Sequence, residues 1–105
     1  MTQSYFLIVR TDADDSAEKR LAAMDAHIKY TVENKHRFCV GGAIRHDPNA
    51  DALGSAMIIQ ANSLENARAF ASLDPFDKTG VYARTDVWQF NVGVGEWLPE
   101  KLRKF

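Results

Sequence analysis

The sequence predicts an α+β fold of order β-α-β-β-α-β, with two helices on one face of a four-stranded antiparallel sheet. Three observations predict it. Four short runs rich in aromatic and β-branched residues are separated by turn-forming residues. A long stretch with apolar residues at helical spacing follows the first run, and a shorter one follows the third. The length of 105 residues suits a single domain, 1–105, built around one modest core.

The run at 4–10, SYFLIVR, is the first strand, and TDADDS interrupts it with turn and N-cap residues. From there the pattern becomes Ala17, Leu21, Met24, Ile28 and Val32, which places one apolar stripe along a helix over about 16–35. The stripe is expected to face the core, Met24 included. FCVGGAIR at 38–45 is the second strand; Gly41 and Gly42 inside it suggest a bulge or a close backbone approach. The turn-rich HDPNADALG leads to SAMIIQA, the third strand at 55–61, as a hairpin with a long loop. Ser63 is a good N-cap for the second helix, and Glu65 in its first turn supports it. Leu64, Ala67 and Ala71 share a face, with Phe70 beside it. Pro75 ends this helix by disfavouring helical geometry at Asp74. RTDVWQFNV at 84–92 is the fourth strand, with Trp88, Phe90 and Val92 on one face. EWLPEKLRKF forms a basic, amphipathic tail, the end of a segment from about 94 to 105.

This order is the ferredoxin-like pattern. The far side of its sheet would carry Tyr5, Leu7, Phe38 or Cys39, and Trp88 or Phe90, a face too apolar for water. A homodimer through that face is the expected solution. Trp97, Leu98 and Leu102 of the tail would cover an apolar patch or contact the partner copy, so a larger homo-oligomer is also open.

Composition narrows the function. The chain is 46% hydrophobic and 26% charged, with a formal net charge of −1, so no strong field is available to capture nucleic acid or an anionic membrane. No apolar run is long enough to span a bilayer. The N-terminus reads as a strand, so no signal peptide is expected, and the single Cys39 allows no internal disulfide. Both suit a cytoplasmic protein. Cys39 itself reads as a buried strand residue and not a nucleophile.

No strong cofactor or metal motif is present. His27, His36 and His46 match no zinc spacing, and no nucleophile elbow surrounds a serine. His27 stands out because it lies at the border of the helical stripe, on the side of Arg20 and Thr31. There an imidazole can face a cleft while packing holds its stem, and its titration near neutrality suits a general acid or base. In SLDPFDKTGVYA, Asp74 lies just beyond the second helix and so within reach of the first. It is either a turn residue, since Asp-Pro is a common turn dipeptide, or the carboxylate that orients the imidazole.

The pattern resembles the YciI-like family of the dimeric α+β barrel group. The matching residues are Ala26-His27, Gly41-Gly42, Asp74-Pro75-Phe76 and Gly80-Val81-Tyr82, in an order that runs over about residues 4–92. The resemblance implies that His27 and Asp74 form a catalytic pair. Family members often carry an arginine three positions before the histidine; here that position is Met24, and Arg20 reaches the same neighbourhood from a turn earlier. Secondary candidates for substrate contact are Ser72, Phe76, Tyr82 and Arg84. Ser72 also suits a helix-end hydrogen bond, Phe76 and Tyr82 the core, and Arg84 a solvated sheet edge. Arg45, His46, Asp77 and Lys78 read as solvated loop residues.

The resulting expectation is a small cytosolic enzyme that uses His27 and Asp74 for proton transfer on a small organic acid or unsaturated carbonyl compound. The reaction would be of lyase, isomerase or hydrolase type, with no cofactor and no metal. The alternative is a non-catalytic module for ligand binding or dimerisation.

Overall fold

The computed structural model describes residues 4–96. Strand β1 (Ser4–Asp12) leads into helix α1 (Ser16–Glu33), and a short 3-10 turn (Lys35–Arg37) enters β2 (Phe38–Ile44). Then come β3 (Gly54–Ala61), α2 (Leu64–Ala71), α3 (Pro75–Lys78) and β4 (Tyr82–Gln89). The sheet order is β2-β3-β1-β4 with every neighbouring pair antiparallel, so the α+β, ferredoxin-like expectation holds. Among the described residues, no helix is long and apolar enough to cross a membrane.

Alternation on β1 and β3 builds the core. Phe6 and Ile8 point to the helical side with Met57, Ile59 and Ala61, where Ala67, Phe70 and Ala71 of α2 close over them. Ser63 caps α2 as its residue type predicts, its side chain accepting the Asn66 N–H. Gly54 is required where β3 meets β1, because a side chain there would run into the Arg10 carbonyl.

The structure corrects four expectations. Most of the apolar stripe of α1 does not face the core: Leu21 is 79% exposed, Ile28 51% and Val32 59%, while Met24 alone of the large stripe residues packs half-buried against Ala23, Phe76 and Val81. The buried positions of α1 are Ser16 and Ala23, and its inward side also carries Arg20, His27, Tyr30 and Thr31. This side is polar because it borders a cleft. It touches the core through Ala23, whose small side chain lets α1 settle on Phe76 and Val81.

Pro75 ends α2 but also begins α3. It occupies the first turn, where its missing N–H costs nothing, and Asp74 is the N-cap. The bulge of β2 lies at Cys39 and not at the glycines: the register shifts between Phe38 and Val40, while Gly41 and Gly42 pair regularly with Met57 and Ala56. The extra residue turns Phe38 to the helical side and leaves Val40 on the open side. Cys39 is exposed, not buried.

On the open face lie Tyr5, Leu7 and Ile58, with Trp88 58% exposed. The tail residues Trp97, Leu98 and Leu102 fall outside the described residues.

Candidate active site

Four elements converge at the end of the sheet beneath α1. Arg10 is the third inward residue of β1 after Phe6 and Ile8, so the strand's own alternation drives a guanidinium into the core. It is 1% exposed and must be paired there. Its Nη1 donates to Asp74 Oδ2 at 3.0 Å and its Nη2 to the Ala71 carbonyl at 2.7 Å, at the end of α2.

Asp74 is equally buried, and Pro75 decides its conformation. The residue before a proline is held extended, here at φ −63° and ψ 127°. That geometry lets the carboxylate cap α3, with Oδ1 accepting the Phe76 N–H at 2.9 Å. The same Oδ1 lies 2.8 Å from His27 Nδ1. Asp74 is therefore both a turn residue and the partner of the histidine.

Burial pushes the Asp74 carboxyl upward. The hydrogen bonds from His27 and the Phe76 N–H, with the charges of His27 and Arg10, outweigh it, and the group is held below the ordinary carboxylate range. An ionised carboxylate only accepts hydrogen bonds, so Nδ1 of His27 carries the proton. That leaves Nε2 as the basic nitrogen of the neutral ring.

His27 keeps 26% of its side chain accessible. Its ring stacks on Phe76 with centroids 3.8 Å apart and 6° between planes. Stacking and the Asp74 bond together fix the imidazole. Arg20 lies over the Phe76 ring at 4.8 Å while binding both oxygens of Asp12 at 2.7 and 2.6 Å. Tyr82 packs edge-on to Phe76, and Arg10 lies over its ring at 5.0 Å. Burial, then the Asp74 charge, raises the Tyr82 phenol, so it stays protonated.

A second bulge aims Tyr82. The β1–β4 register shifts between Thr11 and Asp12, so Arg84 pairs with Thr11 and Tyr82 with Asp12. The extra residue, Ala83, turns Tyr82 into the cleft. Arg84 stays on the open face of the sheet, where its Nε donates to Asp86 at 2.8 Å. Ser72 is also away from the cleft; its hydroxyl donates to the Ala69 carbonyl at 2.8 Å.

These groups line a cleft of about 320 Å³ under α1, floored by small residues of β2 and β3 that include Gly41, Ala43 and Ser55. That volume suits a single-ring molecule. Of the sequence candidates, His27, Asp74, Phe76 and Tyr82 meet here, while Ser72 and Arg84 do not. Arg10 and Ser55 went unrecognised in the sequence. For Arg10 a signal existed: it continues the inward alternation of Phe6 and Ile8. Among the described residues, no group of three or more His, Cys, Asp or Glu side chains is placed to hold a metal ion.

A family model for the YCII-related domain matches residues 4–91. The chain belongs to the YCII-related family. It is similar to Protein YciI of Escherichia coli and of Shigella flexneri, each 34% identical over 92 residues, covering 81% of this chain and 94% of the relative. Among solved structures it is similar to the 5-chloro-2-hydroxyhydroquinone dehydrochlorinase of Burkholderia phenoliruptrix, in complex with 2,5-dihydroxybenzoquinone. The TM-score is 0.74 at 32% identity, covering 82% of this chain and 92% of that one. A nipsnap family protein of unknown function from Agrobacterium tumefaciens shares the fold alone, with a TM-score of 0.51 at 8% identity over 84% of this chain and 86% of that one.

Proposed function

We propose that this YCII-related protein is a small enzyme that moves a proton on a small organic acid or unsaturated carbonyl compound, with His27 as general base and acid and Asp74 as its orienting partner. The observation that carries the reading is the 2.8 Å contact between His27 Nδ1 and Asp74 Oδ1, on an imidazole that borders a ring-sized cleft. Nε2 takes a proton from an acidic C–H bond of the substrate. The bonding pair moves into a carbon–carbon double bond and the carbonyl π pair moves onto oxygen, which gives an enolate. The imidazolium is stabilised by Asp74 and returns the proton to a different atom, completing an isomerisation. Where the substrate bears a leaving group, that group departs with its electron pair and the reaction is an elimination. Such proton transfers require no cofactor. Similarity to a dehydrochlorinase structure supports this reaction class.

The protein acts, in this reading, as a homodimer joined through the open sheet face in the cytoplasm, where a reducing environment suits the exposed thiol of Cys39. A panel of hydroxyquinones, unsaturated lactones and enolisable acids incubated in heavy water tests the chemistry. Nuclear magnetic resonance should show exchange or conversion of one class, and His27→Gln should slow it by about 100-fold or more. Binding without exchange or conversion across the panel would assign the cleft to ligand binding alone.

A further inference from the structure

We propose that Ser55 and Arg10 form a hydrogen-bonding notch on the floor of the cleft that holds one oxygen of the ligand, the oxygen on which negative charge develops as His27 takes a proton. The two residues face each other directly across β1 and β3. Ser55 Oγ and Arg10 Nε are the two buried side-chain polar atoms without a hydrogen-bond partner among the described residues, and both residues line this cleft. Buried donors are rarely left unsatisfied, so a pair of them side by side at a cleft wall marks where a ligand atom belongs. The Tyr82 phenol lies beside the Ser55 hydroxyl, close enough for that hydroxyl to pull the phenol down against its burial, but the pair does not meet full hydrogen-bond geometry.

Charge in the cleft points to an oxygen with anionic character. Arg10 is matched by Asp74 and Arg20 by Asp12. Lys35 also lines the cleft and has no ion pair among the described residues, so one positive charge is left over. The ligand class is therefore a single-ring carbonyl compound or its enolate or phenolate, with the ring above Gly41 and the oxygen at Ser55. As the C–H pair becomes a double bond and the carbonyl pair moves to oxygen, Ser55 O–H and Arg10 Nε–H donate to that oxygen. They act where the charge appears; both atoms are closed to water in this conformation, so the side chains at the cleft wall must give way slightly for the oxygen to reach them. The catalytic part of this inference rests on the proton-transfer reading; the binding part does not.

The probe is 4-nitrophenolate, which carries a ring-borne oxyanion and absorbs in the visible; nitrobenzene is its analogue without the oxygen. The wild type should bind the phenolate. Ser55→Ala should weaken that binding about tenfold, while Ser55→Thr, which keeps the hydroxyl, preserves it. Nitrobenzene should bind both proteins alike. Ser55→Ala should leave the melting temperature nearly unchanged, because the hydroxyl closes no hydrogen bond of full geometry in the fold; a structural serine hydrogen bond would lower it when lost. Equal phenolate affinity in wild type and Ser55→Ala, or no binding to the wild type, overturns the notch. Serine-dependent binding with no proton exchange on any compound would keep the notch and remove the enzyme. Undiminished exchange in Ser55→Ala would remove the notch's catalytic role and keep the enzyme.

Discussion

His27 and Asp74 meet through an oxygen that already caps a helix. Oδ1 of Asp74 accepts the Phe76 N–H at 2.9 Å and lies 2.8 Å from His27 Nδ1, while Oδ2 takes the Arg10 guanidinium at 3.0 Å. One buried carboxylate thus fixes the start of α3, the tautomer of the histidine and the counter-charge of an arginine. Asp74→Asn keeps the cap oxygen but removes the charge. Arg10 is then left buried without an anion, a loss on the order of 3–5 kcal/mol. Urea unfolding followed by circular dichroism measures it. A loss below about 1 kcal/mol would show that the ion pair contributes little to the fold.

The same carboxyl sets an acid limit on stability. Its folded value lies below the ordinary one, so the unfolded chain binds the proton first as pH falls. The Asp74 contribution is fully present above the unfolded value of about 3.9 and is lost as pH falls from there through the lowered folded value. Urea midpoints from neutral to acid pH should fall across that window in the wild type. The slope should be shallower in Asp74→Asn.

Tyr30 gives the alkaline counterpart. Its hydroxyl donates to the Phe70 carbonyl at 3.0 Å, tying α1 to α2. Burial, then the Asp74 charge, pushes its pKa up to about 12. A folded value above the unfolded one gives stability that is present below the unfolded value and lost as pH rises through the folded value. Ultraviolet titration should find a phenol that ionises near that raised value and disappears in Tyr30→Phe. The variant should also lose about 1 kcal/mol with the hydrogen bond.

Strands β1 and β3 and helix α2 were legible because their inward faces are largely apolar, and alternation or capping reports them directly; β4 was legible through Trp88, which lies on the open face. Helix α1 was legible as a helix but not in its orientation. Three large apolar residues of its stripe, Leu21, Ile28 and Val32, lie outward, while the inward side carries Arg20, His27 and Thr31 around the cleft. A hydrophobic stripe marks the core only where the core is not interrupted by a site. The four-residue α3 has no period to detect, and its mark was the Asp-Pro pair, which reads equally as a turn. Tyr82 and Arg84 were both candidates for substrate contact; the extra residue Ala83 sends them to opposite faces. Leu21→Lys should accordingly change stability by no more than about 0.5 kcal/mol, whereas Phe70→Ala should cost about 3–5 kcal/mol. A large loss at Leu21 would mean that the outward stripe is covered in solution.

The open face of the sheet yields the last prediction. Trp88 stands opposite Leu7 in the β1–β4 register and Ile58 opposite Leu7 on the other side, so three apolar side chains form a row across the strands. Leaving such a row in water is unfavourable, and a second copy meeting it about a two-fold axis would cover it. The homodimer should bury more than about 1,000 Å² in total. Trp88→Asp puts a charge at the centre of that contact while leaving the helical side of the sheet, with His27 and Asp74, untouched. Sedimentation should show a dimer for the wild type at micromolar concentration and a monomer for the variant. Arg84→Ala, on the same face but paired only with Asp86, should shift the equilibrium far less. A wild-type monomer, or a Trp88→Asp dimer of unchanged affinity, would remove the sheet face as the interface.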